Sequence, residues 1–191
     1  VSDGSVALNI AIDLNGKTLT LKPPVGSVGT VTNGIRVLAY SKLSLINGNV
    51  VCSDAAEDVI KVGIANYGTL VLDSVNVKSG ANTIYTINNR GSLTLSGSST
   101  VENGKVCQSD YGAKDNYVAI TNDPYSLYYN KDAEIICSSA DVKVGNLQLE
   151  TYGKTGEIVL DISAGSFGEV TKPETSGSVT VAGNITGGNF G

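Results

Sequence analysis

The chain contains no methionine, histidine or tryptophan in its 191 residues. Without histidine, no Ser-His-Asp or Cys-His nucleophilic arrangement can form within it. Cysteine is scarce: Cys52, Cys107 and Cys137 are the only three. An odd count cannot close a full disulfide framework, and no Cys-x-x-Cys spacing marks a structural zinc site. One pair with a thiol left over and three reduced thiols both fit this count; the expectation is that all three pack as small buried residues. Four prolines are too few for a Pro-rich stalk. Charge is sparse as well. Thirteen Lys and Arg are dispersed along a chain of net charge −5, which argues against nucleic acid or an anionic membrane as the main partner. No apolar run approaches the 18 or more residues of a membrane span, and no signal peptide is expected to remain within these residues. A chain starting at Val1 without methionine is expected to lack its original N-terminus.

What the sequence does contain is 23 glycines, interspersed with Ser, Thr and Asn, within a chain that is 41 % hydrophobic. This reads as a folded core with many tight turns. Short apolar-x-apolar phrases recur: "TLTLK" at 18–22, "KLSLI" at 42–46, "TLVLD" at 69–73, "SLTLS" at 92–96, "EIICS" at 134–138, "EIVLD" at 157–161 and "SVTVA" at 178–182. Their leading apolar residues are Leu19, Leu43, Leu70, Leu93, Ile135, Ile158 and Val179. All steps but one are close to 23 residues, and the long one, from Leu93 to Ile135, contains a Tyr-rich stretch. Nothing sustains helical apolar spacing, so almost no helix is expected; residues 53–62 are the one place for a short helical turn.

A second short strand follows many of these phrases, and a third precedes them in "VIKVGIANYG", "TIYTINNRG" and "YVAITND". Three short strands per repeat is the arithmetic of a β-solenoid, in which each coil buries its apolar row only by stacking on its neighbours. A hairpin-rich β-sandwich also has many short strands, but has no reason to repeat one phrase at one period. Asn66, Asn89 and Asn122 occupy the same place in the third strand. They are expected to form an internal ladder of side-chain amides rather than a binding row. "IDLNGKTLTL" at 12–21 has the local signature of an Asn-Gly hairpin. The repeat instead makes Asn15-Gly16 a corner between two sides of one coil, with Leu19 matching Leu43.

These residues carry a family likeness. "IDLNGKTLTL", "LDISAGSFGEV" and "VAGNITGGNFG" resemble coils of right-handed parallel β-helix domains with the pectate-lyase-like fold. Such domains occur in bacterial surface proteins and in phage fibre, tailspike or decoration proteins. The resemblance implies an all-β fold: a right-handed single-stranded parallel β-helix of about six to eight coils. It implies one domain over residues 1–191, with a Tyr-rich loop insertion at about 108–131. It further implies a non-enzymatic, rigid, structural or adhesive module, extracellular on a bacterial cell surface or virion. The expected partner is a glycan or protein surface, without nucleic acid or membrane insertion, and with room for a homotrimer or attachment to a larger assembly. No cofactor and no metal site are expected. The family also includes polysaccharide lyases and glycoside hydrolases, and that activity is the alternative.

Columns of equivalent residues offer little to such an enzyme. Asp73 and Asp161 follow their strand cores but fall about 14 Å or more apart, beyond glycosidase spacing. Glu134 and Glu157 precede the cores of adjacent coils and are expected about 5 Å apart, which fits a retaining hydrolase on distance alone. Lys131 and Lys154 sit three residues upstream, so two solvated, Lys-flanked carboxylates are the plainer reading. An ice-binding surface would need Thr pairs in every coil, and "KLSL", "TLVL" and "EIIC" break that row. The better binding candidate is "YGAKDNYVAITNDPYSLYY" at 111–129, with Tyr111, Tyr117, Tyr125, Tyr128 and Tyr129 beside Asp123. Tyrosine joins a flat apolar face to a hydrogen-bonding tip, which suits sugar rings and protein surfaces. The competing reading is that this segment simply covers apolar flank.

Overall fold

A computed structural model describes residues 7–23, 32–107, 117–124, 132–150, 156–172 and 180–191. The strands follow in chain order. The first group is β1 (Asn9–Asp13), β2 (Thr18–Leu21) and β3 (Asn33–Val37); the second is β4 (Lys42–Cys52) and β5 (Val62–Asn66). Then come β6 (Thr69–Lys78) and β7 (Tyr85–Asn89), followed by β8 (Ser92–Ser96), β9 (Thr100–Val101) and β10 (Val118–Asn122). The last groups are β11 (Ala133–Cys137), β12 (Lys143–Val144) and β13 (Leu147–Leu149); β14 (Glu157–Ile162), β15 (Ser166–Phe167) and β16 (Val170–Thr171); and β17 (Thr180–Ala182) and β18 (Asn189–Phe190). No helix occurs among the described residues, and 53–62 holds only a tight turn closed by Asp58 N donating to Ala55 O at 3.0 Å.

The strands stack in three parallel rows. Row one is β1, the first half of β4, the first half of β6, β8, β11, β14 and β17. Row two is β2, the second halves of β4 and β6, β9, β12, β15 and β18. Row three is β3, β5, β7, β10, β13 and β16. This is a parallel β-solenoid. From β3 to β16 it closes about five turns, and rows one and two continue by one strand each, β17 and β18.

Side-chain alternation decides what is buried. Successive residues point to opposite faces of a strand, so each row sends every second side chain inward. Leu45, Leu72, Leu95, Cys137 and Ile162 form one inward column in row one. Val50, Val77, Val101, Val144 and Phe167 form one in row two, and Ile64, Ile87, Ile120 and Leu147 one in row three. All of these are buried. Cys52 and Cys137 pack in this core, where burial pushes both thiols up; Cys107 is half-buried.

The corner between rows one and two needs a left-handed residue, which only Gly, Asn or a small polar residue adopts at low cost. Asn47 (φ 52°), Ser74 (φ 56°) and Gly97 (φ 59°) occupy it in successive coils, and Asn15 (φ 48°) and Gly16 (φ 72°) turn the first. Asn15-Gly16 is therefore a corner and not a hairpin. Ile12 pairs in parallel with Leu45, and Leu19 with Val50.

Three repeat assignments are corrected by the register. Leu19 lies in row two opposite Val50, and the row-one residue opposite Leu43 is Ile10. Ile135 is opposite Leu160 rather than Ile158, and Ile158 is opposite Val181 rather than Val179. A slip of two residues keeps every apolar side chain inward, so alternation alone cannot detect it. The expected insertion at 108–131 also contains a regular third-row strand, β10, paired with β7 and β13.

Candidate functional site

The asparagine ladder runs up the corner between rows three and one. Asn66 Nδ2 donates to Asn89 Oδ1 at 2.7 Å, and Asn89 Nδ2 donates to Asn122 Oδ1 at 2.6 Å. The same amides reach the carbonyls of Ser92 (3.0 Å), Glu134 (2.9 Å) and Ala133 (2.8 Å) on the row-one side. All three asparagines are fully buried. They satisfy the backbone acceptors that the turn leaves over, and so are structural. Val37 precedes the ladder in register and Leu149 ends it.

The residue directly after each ladder position points outward. Tyr67, Arg90, Asp123 and Glu150 form this column, and the backbone N–H groups of Arg90, Asp123 and Glu150 bond to the carbonyls of Asn66, Asn89 and Asn122. Aromatic, cation, anion and anion follow in that order. Arg90 lies 5.6 Å from the Tyr67 ring centroid, with Arg36 at 4.7 Å. Arg90 Nη2 lies 2.9 Å from Asp123 Oδ2. Gln148 Nε2 donates to Glu150 Oε1. Alongside runs a second outward column of Asn88, Thr121, Gln148 and Thr171. Asp123 is only 5 % exposed and Glu150 4 %.

Among the described residues of this column, one guanidinium faces two carboxylates on consecutive turns. Burial, and then the neighbouring Asp123 carboxylate, push Glu150 up to about 7, while the Gln148 hydrogen bond and Arg90 oppose the rise. Glu150 therefore takes up a proton near neutral pH. A carboxyl raised to neutral pH beside a second carboxylate is a feature of acid–base sites, but catalysis also requires that substrate reach both groups. Glu150 Oε2, Thr121 Oγ1 and Asn88 Oδ1 have no hydrogen-bond partner among the described residues.

Of the residues expected to bind ligand, Asp123 is in this column. Tyr117 is 39 % exposed at the opposite, N-terminal end of β10, with its carbonyl accepting from Asn146 Nδ2 at 2.9 Å. Tyr111, Tyr125, Tyr128 and Tyr129 lie outside the described residues. Glu134 and Glu157 are not brought into register. Glu134 sits between Ser92 and Val159, and its Oε2 accepts from the Ser92 hydroxyl at 2.6 Å. Glu157 is opposite Thr180, and its N–H donates to Asp132 Oδ1 at 2.8 Å. The two-residue slip between β11 and β14 separates them. Among the described residues no group of three or more His, Cys, Asp or Glu could hold a metal ion.

Arg90 and Glu150 escape a search of the residues flanking the row-one strands. A search of the residues following Asn66, Asn89 and Asn122 would have found Arg90 and Asp123, because the ladder fixes that column. Compared with known proteins, the chain matches no family model, no curated protein and no solved structure.

Proposed function

We propose that the chain is a non-enzymatic, rigid module of the pectate-lyase-like parallel β-helix kind, displayed on a bacterial surface or a virion. It holds a glycan or protein on its third row, through tyrosines of the Tyr-rich segment, starting with the exposed Tyr117. The observation that carries this reading is the in-register stack with its internal asparagine ladder. Such a scaffold fixes side chains on one face without needing a mobile site. Tyr117 presents aromatic surface at that face, in keeping with a sugar ring or a protein patch as the occupant.

The test is a panel of uronic-acid and neutral polysaccharides and surface proteins. Binding without new reducing ends or unsaturated products, weakened at least tenfold by Tyr117→Ala or by Tyr128→Ala with Tyr129→Ala, supports the proposal. Unchanged binding in all these variants removes it.

A second reading, polysaccharide cleavage, is favoured by one observation: the Glu150 carboxyl, raised to about 7 by burial and by the Asp123 carboxylate next to it. Against it stands the burial of both carboxylates, which keeps a polymer away from them. Turnover abolished by Glu150→Gln in a folded variant would reverse the order of the two readings.

A further inference from the structure

We propose that Asn146 is a positioning residue for Tyr117: it holds the chain at the two points where residues 102–117 leave row two and rejoin row three. How Tyr117 is held needs no ligand; the consequence for binding rests on the reading of Tyr117 as a ligand contact.

The corner between rows two and three differs from turn to turn. Gly145 and Asn146 alone join β12 to β13, and Gly168 and Glu169 alone join β15 to β16. One turn earlier, residues 102–117 separate β9 from β10. Val101 is opposite Val144, and Val144 is opposite Phe167. Asn103, Asn146 and Glu169 therefore hold the same place in successive turns. Each asparagine accepts the backbone N–H of the next residue in this column: Asn146 N donates to Asn103 Oδ1 at 2.6 Å, and Glu169 N donates to Asn146 Oδ1 at 3.1 Å. A Cβ at Gly145 would collide with Asn103 Oδ1, and one at Gly168 with Asn146 Oδ1. The short corner is shaped around these amides.

Asn146 also reaches the point of return. Its Nδ2 donates to the Tyr117 carbonyl at 2.9 Å, and its own carbonyl accepts from Ala119 N at 2.9 Å and Ile120 N at 3.2 Å. Departure and return are joined directly as well, by Gly104 N donating to the Val118 carbonyl at 2.9 Å. Thr86 Oγ1 pins the departure again by donating to the Glu102 carbonyl at 2.6 Å. Asn146 thus ties together Asn103, the stretch from Tyr117 to Ile120, and Glu169. Tyr117 lies just before β10, ahead of the first paired residue, Val118. The Nδ2 bond therefore sets the peptide from which its ring projects. An aromatic side chain held in place before binding loses less freedom when a ligand arrives.

The experiment is hydrogen–deuterium exchange mass spectrometry on the 191-residue chain with Asn146→Asp. This variant keeps the acceptor for Glu169 N and replaces the donor to Tyr117 with an ionised oxygen. Exchange in peptides covering 103–107 and 117–120 should rise at least about threefold, the scale of one lost hydrogen bond, with β6 unchanged. A protonated carboxyl can donate again, so at about pH 3, below the ordinary aspartate value, the ratio of variant to wild type should return to about one. Damaged packing would not be repaired by acid. Asn103→Ala leaves the Nδ2 bond in place and should loosen 103–107 more than 117–120. Equal exchange in Asn146→Asp and wild type at neutral pH would overturn the proposal. So would a ratio that acid does not restore, or a rise that spreads to β6 in both Asn146→Asp and Asn146→Ser. Binding of polygalacturonate, as a uronic-acid probe, should weaken in Asn146→Asp in the same direction as in Tyr117→Ala. If the exchange results hold while Tyr117→Ala leaves binding unchanged, the ligand reading of Tyr117 fails and the positioning role stands.

Discussion

Asp123 and Glu150 stand in one outward column, one turn apart, with the Glu150 N–H bonded to the carbonyl of Asn122 at 3.0 Å. Parallel stacking creates this proximity across 27 residues of sequence. The solenoid turns a repeat in the chain into a column on a surface, and what a column contains then sets its chemistry.

The first consequence is a pH dependence of stability. Glu150 is raised from its ordinary 4.5 to about 7 in the folded protein. Between those values the folded state holds a proton that the unfolded state has released, so stability is greatest at or below about 4.5 and falls as pH rises to about 7. The loss is about 3 kcal/mol at most. Glu150→Gln removes the titrating group. Denaturant melts should show the variant gaining on wild type as pH rises through this window, with the difference levelling above pH 7.

Arg90 neutralises a carboxylate that is almost out of reach of water. Arg90→Met leaves Asp123 buried beside Glu150 without its cation. A cost of about 3–5 kcal/mol is expected, as for breaking a buried pair from one side. Adding Asp123→Asn should recover much of it. A double-mutant cycle with no coupling between the two positions would show that the ion pair does not act as drawn.

The ladder is a second sensitive point. Asn89 accepts from Asn66 and donates to Asn122 and to the Glu134 carbonyl. Asn89→Ala leaves several buried partners unsatisfied, at about 1–3 kcal/mol each. Its urea midpoint should fall well below that of Asn82→Ala, because Asn82 reaches the Ala56 carbonyl from the exposed side of the molecule.

Gly91 marks where successive coils come closest at that corner. A Cβ there would collide with the backbone carbonyl oxygen of Gly68. Gly91→Ala is expected to destabilise by about 1–3 kcal/mol through forced backbone shifts, measurable as a lowered thermal midpoint with unchanged circular dichroism in the cold.

Much of this was legible in the sequence. The period near 23 residues, the three strands per repeat and the Asn66–Asn89–Asn122 row all follow from residue spacing, and the structure places them as expected. The exact register did not follow, because apolar alternation has a period of two: Ile158 and Leu160 are equally good partners for Ile135 on pattern alone. The Glu134–Glu157 pairing fell with that slip. Leu19 is displaced for a related reason, since "TLTL" in row two and "KLSL" in row one are interchangeable phrases on adjacent faces. The acidic column was half legible. Asp123 stood out with its tyrosines, but Arg90 and Glu150 acquire meaning only once the ladder fixes which residue of each turn faces outward.

The most direct measurement concerns the first coil, on which the parallel topology and everything argued from it depend. The parallel register puts Ala11 opposite Ser44, whereas an Asn15-Gly16 hairpin pairing Ile12 with Leu19 would put Ala11 opposite Thr20. Ala11→Cys with Ser44→Cys, and Ala11→Cys with Thr20→Cys, are treated with a short bifunctional thiol reagent and mapped by mass spectrometry. The solenoid predicts efficient crosslinking between positions 11 and 44 and little between 11 and 20. The reverse result would contradict the fold, and the functional reading with it.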